Sequence, residues 1–297
     1  MGGFPGTWRR QLQCAEQDAV AALAARAAEA DGVAPLNEEA LLELRTTRAE
    51  HLLHLTNGDL LGYLQWQPSA ATAQLVVDPD ARRRGVGTAL ADALAAHAPE
   101  RLWAFGDTPA AQVFAANRGL VPVRTLRLLE RPIGPAATPS GPTATPSPPD
   151  GLTLRGFRPG DEAALLAVNA QAFAHHPEQG SLDRAGLDAR LAEPWFDPDG
   201  LILGFDADGL AGFHWTKSHN AGTGEVYVIC TAPRARGRGF GRALLNAGLA
   251  RLAATGHYRV ILYVDSRDGI AVEMYETAGF TVEHVDVVYA PAPKETP

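Results

Sequence analysis

Arg82-Arg83-Arg84-Gly85-Val86-Gly87 occurs a second time, far downstream, as Arg236-Gly237-Arg238-Gly239-Phe240-Gly241. Each copy follows a short apolar run and a proline: Leu75-Val76-Val77-Asp78-Pro79 in one case, Val228-Ile229-Cys230-Thr231-Ala232-Pro233 in the other. Each leads into an Ala/Leu-rich helical pattern, Thr88 to His97 and Arg242 to Ala254. A strand, a basic Gly-rich turn and a helix start together make an anion site. Backbone N–H groups converge there, the helix dipole adds positive character, and glycine lets a pyrophosphate approach the backbone. Two such sites in one chain indicate a duplicated domain.

The 297 residues are enough for two domains of ordinary size, each with its own core. An apolar share of 46% and a charged share of 20% are those of a globular protein. The net charge of −8 argues against general affinity for nucleic acid or an anionic membrane surface. The basic residues gather in the two turns, which suits a small polyphosphate ligand. Cys14 and Cys230 have neither zinc nor CxxC spacing, so no metal and a reducing compartment are expected. No apolar run reaches about 18 residues, and a cytoplasmic monomer is the expectation.

Arg131 to Asp150 carries seven prolines among Thr, Ser, Gly and Ala. Such a composition builds no core, and it reads as a semi-extended linker over 131–150. It separates an N-terminal domain, 1–130, from a C-terminal domain, 151–297. The first domain reads as helices at Gln17 to Ala30 and from Glu38. Strands follow at Glu50 to Leu55, Leu60 to Gln65 and Ala73 to Val77, then the turn and its helix, a short strand at Leu102 to Ala104, a helix at Pro109 to Ala116 and a strand at Val121 to Leu129. The second domain repeats that order, with a hairpin around Asp206-Ala207-Asp208-Gly209 and a last strand at Thr281 to Tyr289. The fold class is α/β (α+β): a mixed sheet flanked by helices, twice over.

Downstream of the second turn lies Asp268-x-x-Ala271-x-x-x-Tyr275-x-x-x-Gly279-Phe280. With the basic Gly-rich turns, this resembles the GCN5-related N-acetyltransferase (GNAT) superfamily, implying two tandem domains with mixed, mostly antiparallel sheets. Closer similarity lies in Phe213-His214-Trp215-Thr216-Lys217, Gly224-Glu225-Val226-Tyr227-Val228, Leu262-Tyr263-Val264-Asp265, Val285-Asp286-Val287-Val288-Tyr289, Asp31-Gly32-Val33-Ala34-Pro35 and Ala174-His175-His176-Pro177-Glu178-Gln179-Gly180. These resemble the mycothiol synthase family of actinobacteria, tandem GNAT proteins that acetylate the cysteinyl amine of desacetylmycothiol. The chain departs from that family at Thr231-Ala232, where an acidic residue is usual, and at Asp268, where Asn is usual.

The resemblance implies acetyl-CoA as co-substrate and assigns its contacts. In the first half these are Val76, Val77, Asp78, Arg83, Arg84, Gly85, Val86, Gly87 and Thr88. In the second half they are Ile229, Cys230, Thr231, Arg236, Gly237, Arg238, Gly239, Phe240, Gly241, Arg242, Asp268, Gly269, Ile270, Ala271, Val272 and Glu273. An amine attacks a thioester only as free base, and the departing thiolate needs a proton. The resemblance gives these roles to Glu225 as base and Tyr275 as acid, with a backbone N–H near Ile229 for the oxyanion. It points to Glu38, Glu178, Lys217, Glu225 and Tyr263 for the acceptor, a polyhydroxylated small molecule.

Superposing the two turns puts Ala71 opposite Glu225, and superposing Gly119 on Gly279 puts Ala115 opposite Tyr275. The first half therefore keeps a phosphate turn without the base and the acid. Two competing readings stand beside desacetylmycothiol: another small amine or amino sugar as acceptor, and a non-catalytic acyl-CoA sensor. The Glu225/Tyr275 pair opposes the sensor.

Overall fold

The computed structural model describes residues 6–134, 148–174, 179–219 and 222–292. In chain order the elements are α1 (Cys14–Asp31), α2 (Glu38–Glu43), β1 (Glu50–Thr56), β2 (Asp59–Gln67), β3 (Thr72–Val77), α3 (Val86–His97), β4 (Leu102–Ala104), α4 (Pro109–Asn117) and β5 (Leu120–Pro132), followed by β6 (Thr153–Gly156), α5 (Glu162–Ala172), α6 (Arg184–Leu191), β7 (Leu201–Asp206), β8 (Gly209–Ser218), β9 (Thr223–Thr231), α7 (Phe240–Ala254), β10 (Arg259–Asp265), α8 (Gly269–Thr277) and β11 (Thr281–Pro291). Single-turn 3-10 segments, Pro79–Ala81 and Pro233–Ala235, precede the two basic turns.

The chain forms two compact units. Unit 1 is Met1–Leu126 together with His284–Pro297; unit 2 is Arg127–Glu283. In unit 1, β1, β2 and β3 pair antiparallel, β3 and β4 pair parallel at Ala73↔Leu102, and the end of β11 pairs antiparallel with β4 (Val287↔Ala104, Val288↔Trp103, Tyr289↔Leu102). In unit 2, β6, β7, β8 and β9 pair antiparallel and β9 pairs parallel with β10, whose other edge meets the final residues of β5. Within each unit the strand pairing is thus mixed and mostly antiparallel, with helices packed on the strands.

Period-2 alternation decides which side chains share a face. Phe213 and Trp215 of β8 are fully buried in a cluster with Leu165 and Leu187 from α5 and α6. His214, between them, turns to α7, where Nδ1 lies 2.8 Å from the Leu244 carbonyl. Gly248 makes that possible, since a Cβ there would sit 2.1 Å from the imidazole.

One irregularity separates the sheets. In unit 2 the β8–β9 register shifts between Trp215 and Thr216: Trp215 faces Val228, and Thr216 faces Val226. Tyr227 is the extra residue of a β-bulge. Tyr227 and Val228 consequently both pack on the Trp215 cluster, whereas Val226 and Ile229 pack with α7 residues Leu245 and Leu249. In unit 1, β2 and β3 run without a shift from Gly62↔Val77 to Gln67↔Thr72.

Candidate active site

The two basic turns have matching backbones. Gly85 (φ +86) and Gly239 (φ +78) are the left-handed N-caps of α3 and α7. Neither cap offers a side-chain hydrogen bond, whereas α2, α4, α6 and α8 are capped by Asn37, Thr108, Asp183 and Asp268. The first N–H groups of α3 and α7 have no side-chain partner there, the arrangement a pyrophosphate requires. Gly237 also takes a positive φ of 76°, and in unit 1 the same place is held by Arg83 at +62°.

The arginines divide by role. In unit 2, Arg234 and Arg238 both bind the Asp206 carboxylate (2.8 and 2.7 Å), and Arg238 lies over the Phe240 ring. The Arg234 guanidinium holds the Asp206 carboxyl down at about 2. Among the described residues Arg242 has no ion pair, and Arg236 reaches only the Ala172 carbonyl at 3.4 Å. In unit 1, Arg82 makes a two-pronged pair with Asp31 (2.7 and 2.8 Å). A cavity of about 730 Å3 there is lined by Val76, Val77, Arg83, Gly85, Val86, Gly87 and Thr88, with Phe114 and Tyr289. Asp78 instead pairs with Arg26, and both line a second hollow with Arg84.

The acceptor-side candidates of unit 2 meet on one sheet face. Lys217 on β8 stands directly across from Glu225 on β9, and Glu225 stands across from Ile261 on β10. Tyr263, two residues beyond Ile261, shares that face and is 48% exposed. The parallel register ends at Ile261↔Glu225, just before the bulge, so β9 and β10 part beyond that pair. Lys217 is buried, with its Nζ 4.7 Å from the Trp195 ring and 5.2 Å from the Tyr227 ring. The Tyr227 hydroxyl accepts from Arg190 Nε at 2.8 Å. Glu225 is buried, and its Oε2 lies 2.5 Å from His219 Nε2. Trp195 and His219 were not among the residues singled out from sequence. His219 falls six positions before Glu225 across a hairpin, a signal visible only once that hairpin is drawn.

Tyr275 on α8 is buried in the cluster that holds Val226 and Phe280. Burial, reinforced by Asp268 and Cys230 nearby, pushes its phenol well above the usual value, so it stays protonated. Burial likewise pushes the Cys230 thiol up to about 12, which leaves no thiolate for a covalent route. Asp268 caps α8 by accepting from the Ala271 N–H at 3.0 Å. Gly269, Ile270, Ala271, Val272 and Glu273 form the first turns of α8, with Ile270 86% exposed. Glu38 lies in the first turn of α2 in unit 1. Glu178 lies outside the described residues. Among the described residues no group of three His, Cys, Asp or Glu could hold a metal ion, and no helix is long and apolar enough to cross a membrane.

A basic Gly turn before an uncapped helix start in each unit, with the buried Glu225 carboxylate and Tyr275 phenol in unit 2, suits an acyl-CoA-dependent transferase. The acetyltransferase (GNAT) family model matches residues 18–120 and 170–280, and the chain belongs to that family. Its reaction is acetyl-CoA-dependent N-acetyl transfer. Within the family it groups with the mycothiol acetyltransferases. That of Thermomonospora curvata is 46% identical over 92% of this chain and 93% of its own length. Those of Streptomyces scabiei (46%; 95% and 93%) and Nocardia farcinica (44%; 98% and 99%) are similar. Among solved structures, a GCN5-related N-acetyltransferase from Sphaerobacter thermophilus is 25% identical with a TM-score of 0.63, covering 98% of each chain. A tandem GNAT protein from the clavulanic acid pathway, 19% identical, shares the fold with a TM-score of 0.71 over 98% of this chain and 99% of its own.

Proposed function

We propose that this protein transfers the acetyl group of acetyl-CoA to the cysteinyl amine of desacetylmycothiol, giving mycothiol and CoA by direct attack in a ternary complex. The observation that carries the reading is the buried Glu225 carboxylate, set beside Lys217 on an aromatic-lined face of unit 2, with the buried Tyr275 phenol in the same unit. An α-amine has a pKa of about 8, so near pH 7 most of the acceptor is ammonium and must lose a proton to attack. Glu225 accepts that proton. Backbone N–H groups at the bulge, near Ile229, face the developing negative charge. Tyr275, kept neutral by burial, donates its proton to the leaving sulfur. The uncapped start of α7, with Arg236 and Arg242, holds the pyrophosphate, while Lys217, Tyr263 and Trp195 contact acceptor hydroxyls. Glu38 and Glu178 belong to this reading as further acceptor contacts.

The N-terminal half, on this reading, keeps an acetyl-CoA cradle without chemistry. The test is release of CoA by the purified protein with acetyl-CoA and desacetylmycothiol, with a mass measurement of the product. An acceptor heavier by one acetyl group, attached at nitrogen, supports the reading. Binding of acetyl-CoA without turnover would move the function to another amine or to a sensor.

A further inference from the structure

We propose that His219 is the positioning residue of the reaction: its imidazole fixes the Glu225 carboxylate so that Oε1 faces the acceptor amine. This deepens the reading of Glu225 as base and rests on it.

Glu225 is buried and sits on a strand, so its carboxyl group can rotate about the side-chain torsions unless something holds one oxygen. Lys217 is its neighbour across β8, but the ammonium lies against the faces of Trp195 and Tyr227. Arg190, from α6, donates to the Tyr227 hydroxyl and to the Gly186 carbonyl. On the β10 side the register partner is Ile261, which offers no hydrogen bond, and the next residue on that face is the phenol Tyr263. His219 supplies the contact from the hairpin, with Nε2 at 2.5 Å from Oε2. Its own backbone is tied down, since His219 N–H donates to the Thr223 carbonyl at 3.0 Å. The imidazole is therefore presented from a closed hairpin. Its side chain remains 36% exposed against 8% for Glu225, so the pair bridges buried site and solvent. A donor held on one carboxylate oxygen leaves the other to receive a proton, and misplacing such a group by about 1 Å costs on the order of 10²-fold in rate.

The experiment compares His219→Ala, His219→Gln and Glu225→Gln by steady-state kinetics with acetyl-CoA and desacetylmycothiol, alongside thermal melting. His219→Ala is expected to lower kcat roughly ten- to hundredfold while the KM for acetyl-CoA moves by less than about twofold. His219→Gln, whose amide N–H reaches the same oxygen, is expected to recover most of that loss, and adding His219→Ala to Glu225→Gln should cost little more. An unchanged kcat in His219→Ala, beside an inactive Glu225→Gln, overturns the positioning role and leaves the base reading intact. Equal losses in the alanine and glutamine variants, tracking a lowered Tm, overturn it too, because they mark a structural contact. A fully active Glu225→Gln overturns the base reading itself.

Discussion

Units 1 and 2 share the turn that suits a pyrophosphate and differ in nearly everything that would act on an amine. The strand-turn-helix is a local device: one left-handed glycine and an uncapped helix start suffice, and both units have them. Catalysis needs coordinated side chains, and the described residues of unit 1 carry no counterpart of Glu225, Lys217 or Tyr275 at the matching positions. Strand pairing puts Gln67 where unit 2 has Lys217 and Thr72 where it has Glu225. Superposing the turns alone points to Ala71; the bulge at Tyr227 shifts the counterpart by one residue. Ala115, buried like Tyr275, occupies the corresponding helix position. Gln65 of unit 1, matching Trp215, donates to the Ala40 carbonyl of α2 (2.9 Å), and Gln74 donates to Asn37 of the same helix start (2.9 Å). That face is closed by its own polar network. A turn that suits a phosphate depends on backbone and recurs in both units, whereas the Glu225 and Tyr275 side chains and the inserted residue Tyr227 belong to unit 2 alone.

The contrast can be broken most decisively at Glu225, the proposed base. Glu225→Gln should lower kcat by on the order of 10²–10⁴, while Thr72→Val at the matching position of unit 1 should leave kcat within a few-fold. Equal losses would mean that unit 1 also catalyses. Next, Tyr275→Phe should reduce kcat by about 10², and the wild-type rate should show no loss from phenol ionisation up to about pH 10, because burial raises that phenol. A titration near pH 8 that disappears in the Phe variant would contradict this.

A similarity sharpens the contrast from the other side. Each unit buries a histidine that burial lowers to about 4, His51 in unit 1 and His214 in unit 2. The unfolded chain takes up these protons below about pH 6.5, the folded chain only near 4. Their contribution is therefore complete above 6.5 and lost as pH falls, at up to about 1.4 kcal/mol per pH unit for each. Chemical denaturation between pH 7 and 4 should show both units weakening; a flat stability curve would refute it. Smallest is the glycine effect: Gly85→Ala and Gly239→Ala should each cost about 1–2 kcal/mol in stability, but only the second should raise the acetyl-CoA KM in turnover. A matching KM change from Gly85→Ala would tie the first turn to the reaction.

The helices and strands were legible because apolar spacing and turn residues agree along most of the chain. The helix from Pro109 and the strand Leu102–Ala104 lie where periodicity puts them. The bulge was not legible: Val226-Tyr227-Val228-Ile229-Cys230 is uniformly apolar, so nothing in it marks the residue at which two neighbours face the same way. His219 was missed for a related reason, since only hairpin closure brings a loop histidine to a strand carboxylate. Lys217 is singled out by the resemblance, but its cover by Trp195, from a loop after α6, was not legible. The partner of β4 was also hidden. Pairing with β11 is contact at long sequence separation, which local pattern does not encode.

That last pairing sets an order of events during synthesis. The nascent chain delivers β4 long before its antiparallel neighbour Val287–Tyr289. At translation rates of about 5–20 residues per second, the interval is roughly 10–40 s. During that time the Leu102–Ala104 edge has no strand beside it on that side, and an open edge is a template for unwanted pairing. Tyr289 donates to the Asp107 carboxylate at 2.8 Å, and Asp286 accepts from the Gly106 N–H at 2.7 Å. Unit 1 is thus completed by a strand made only after all of unit 2 up to Glu283.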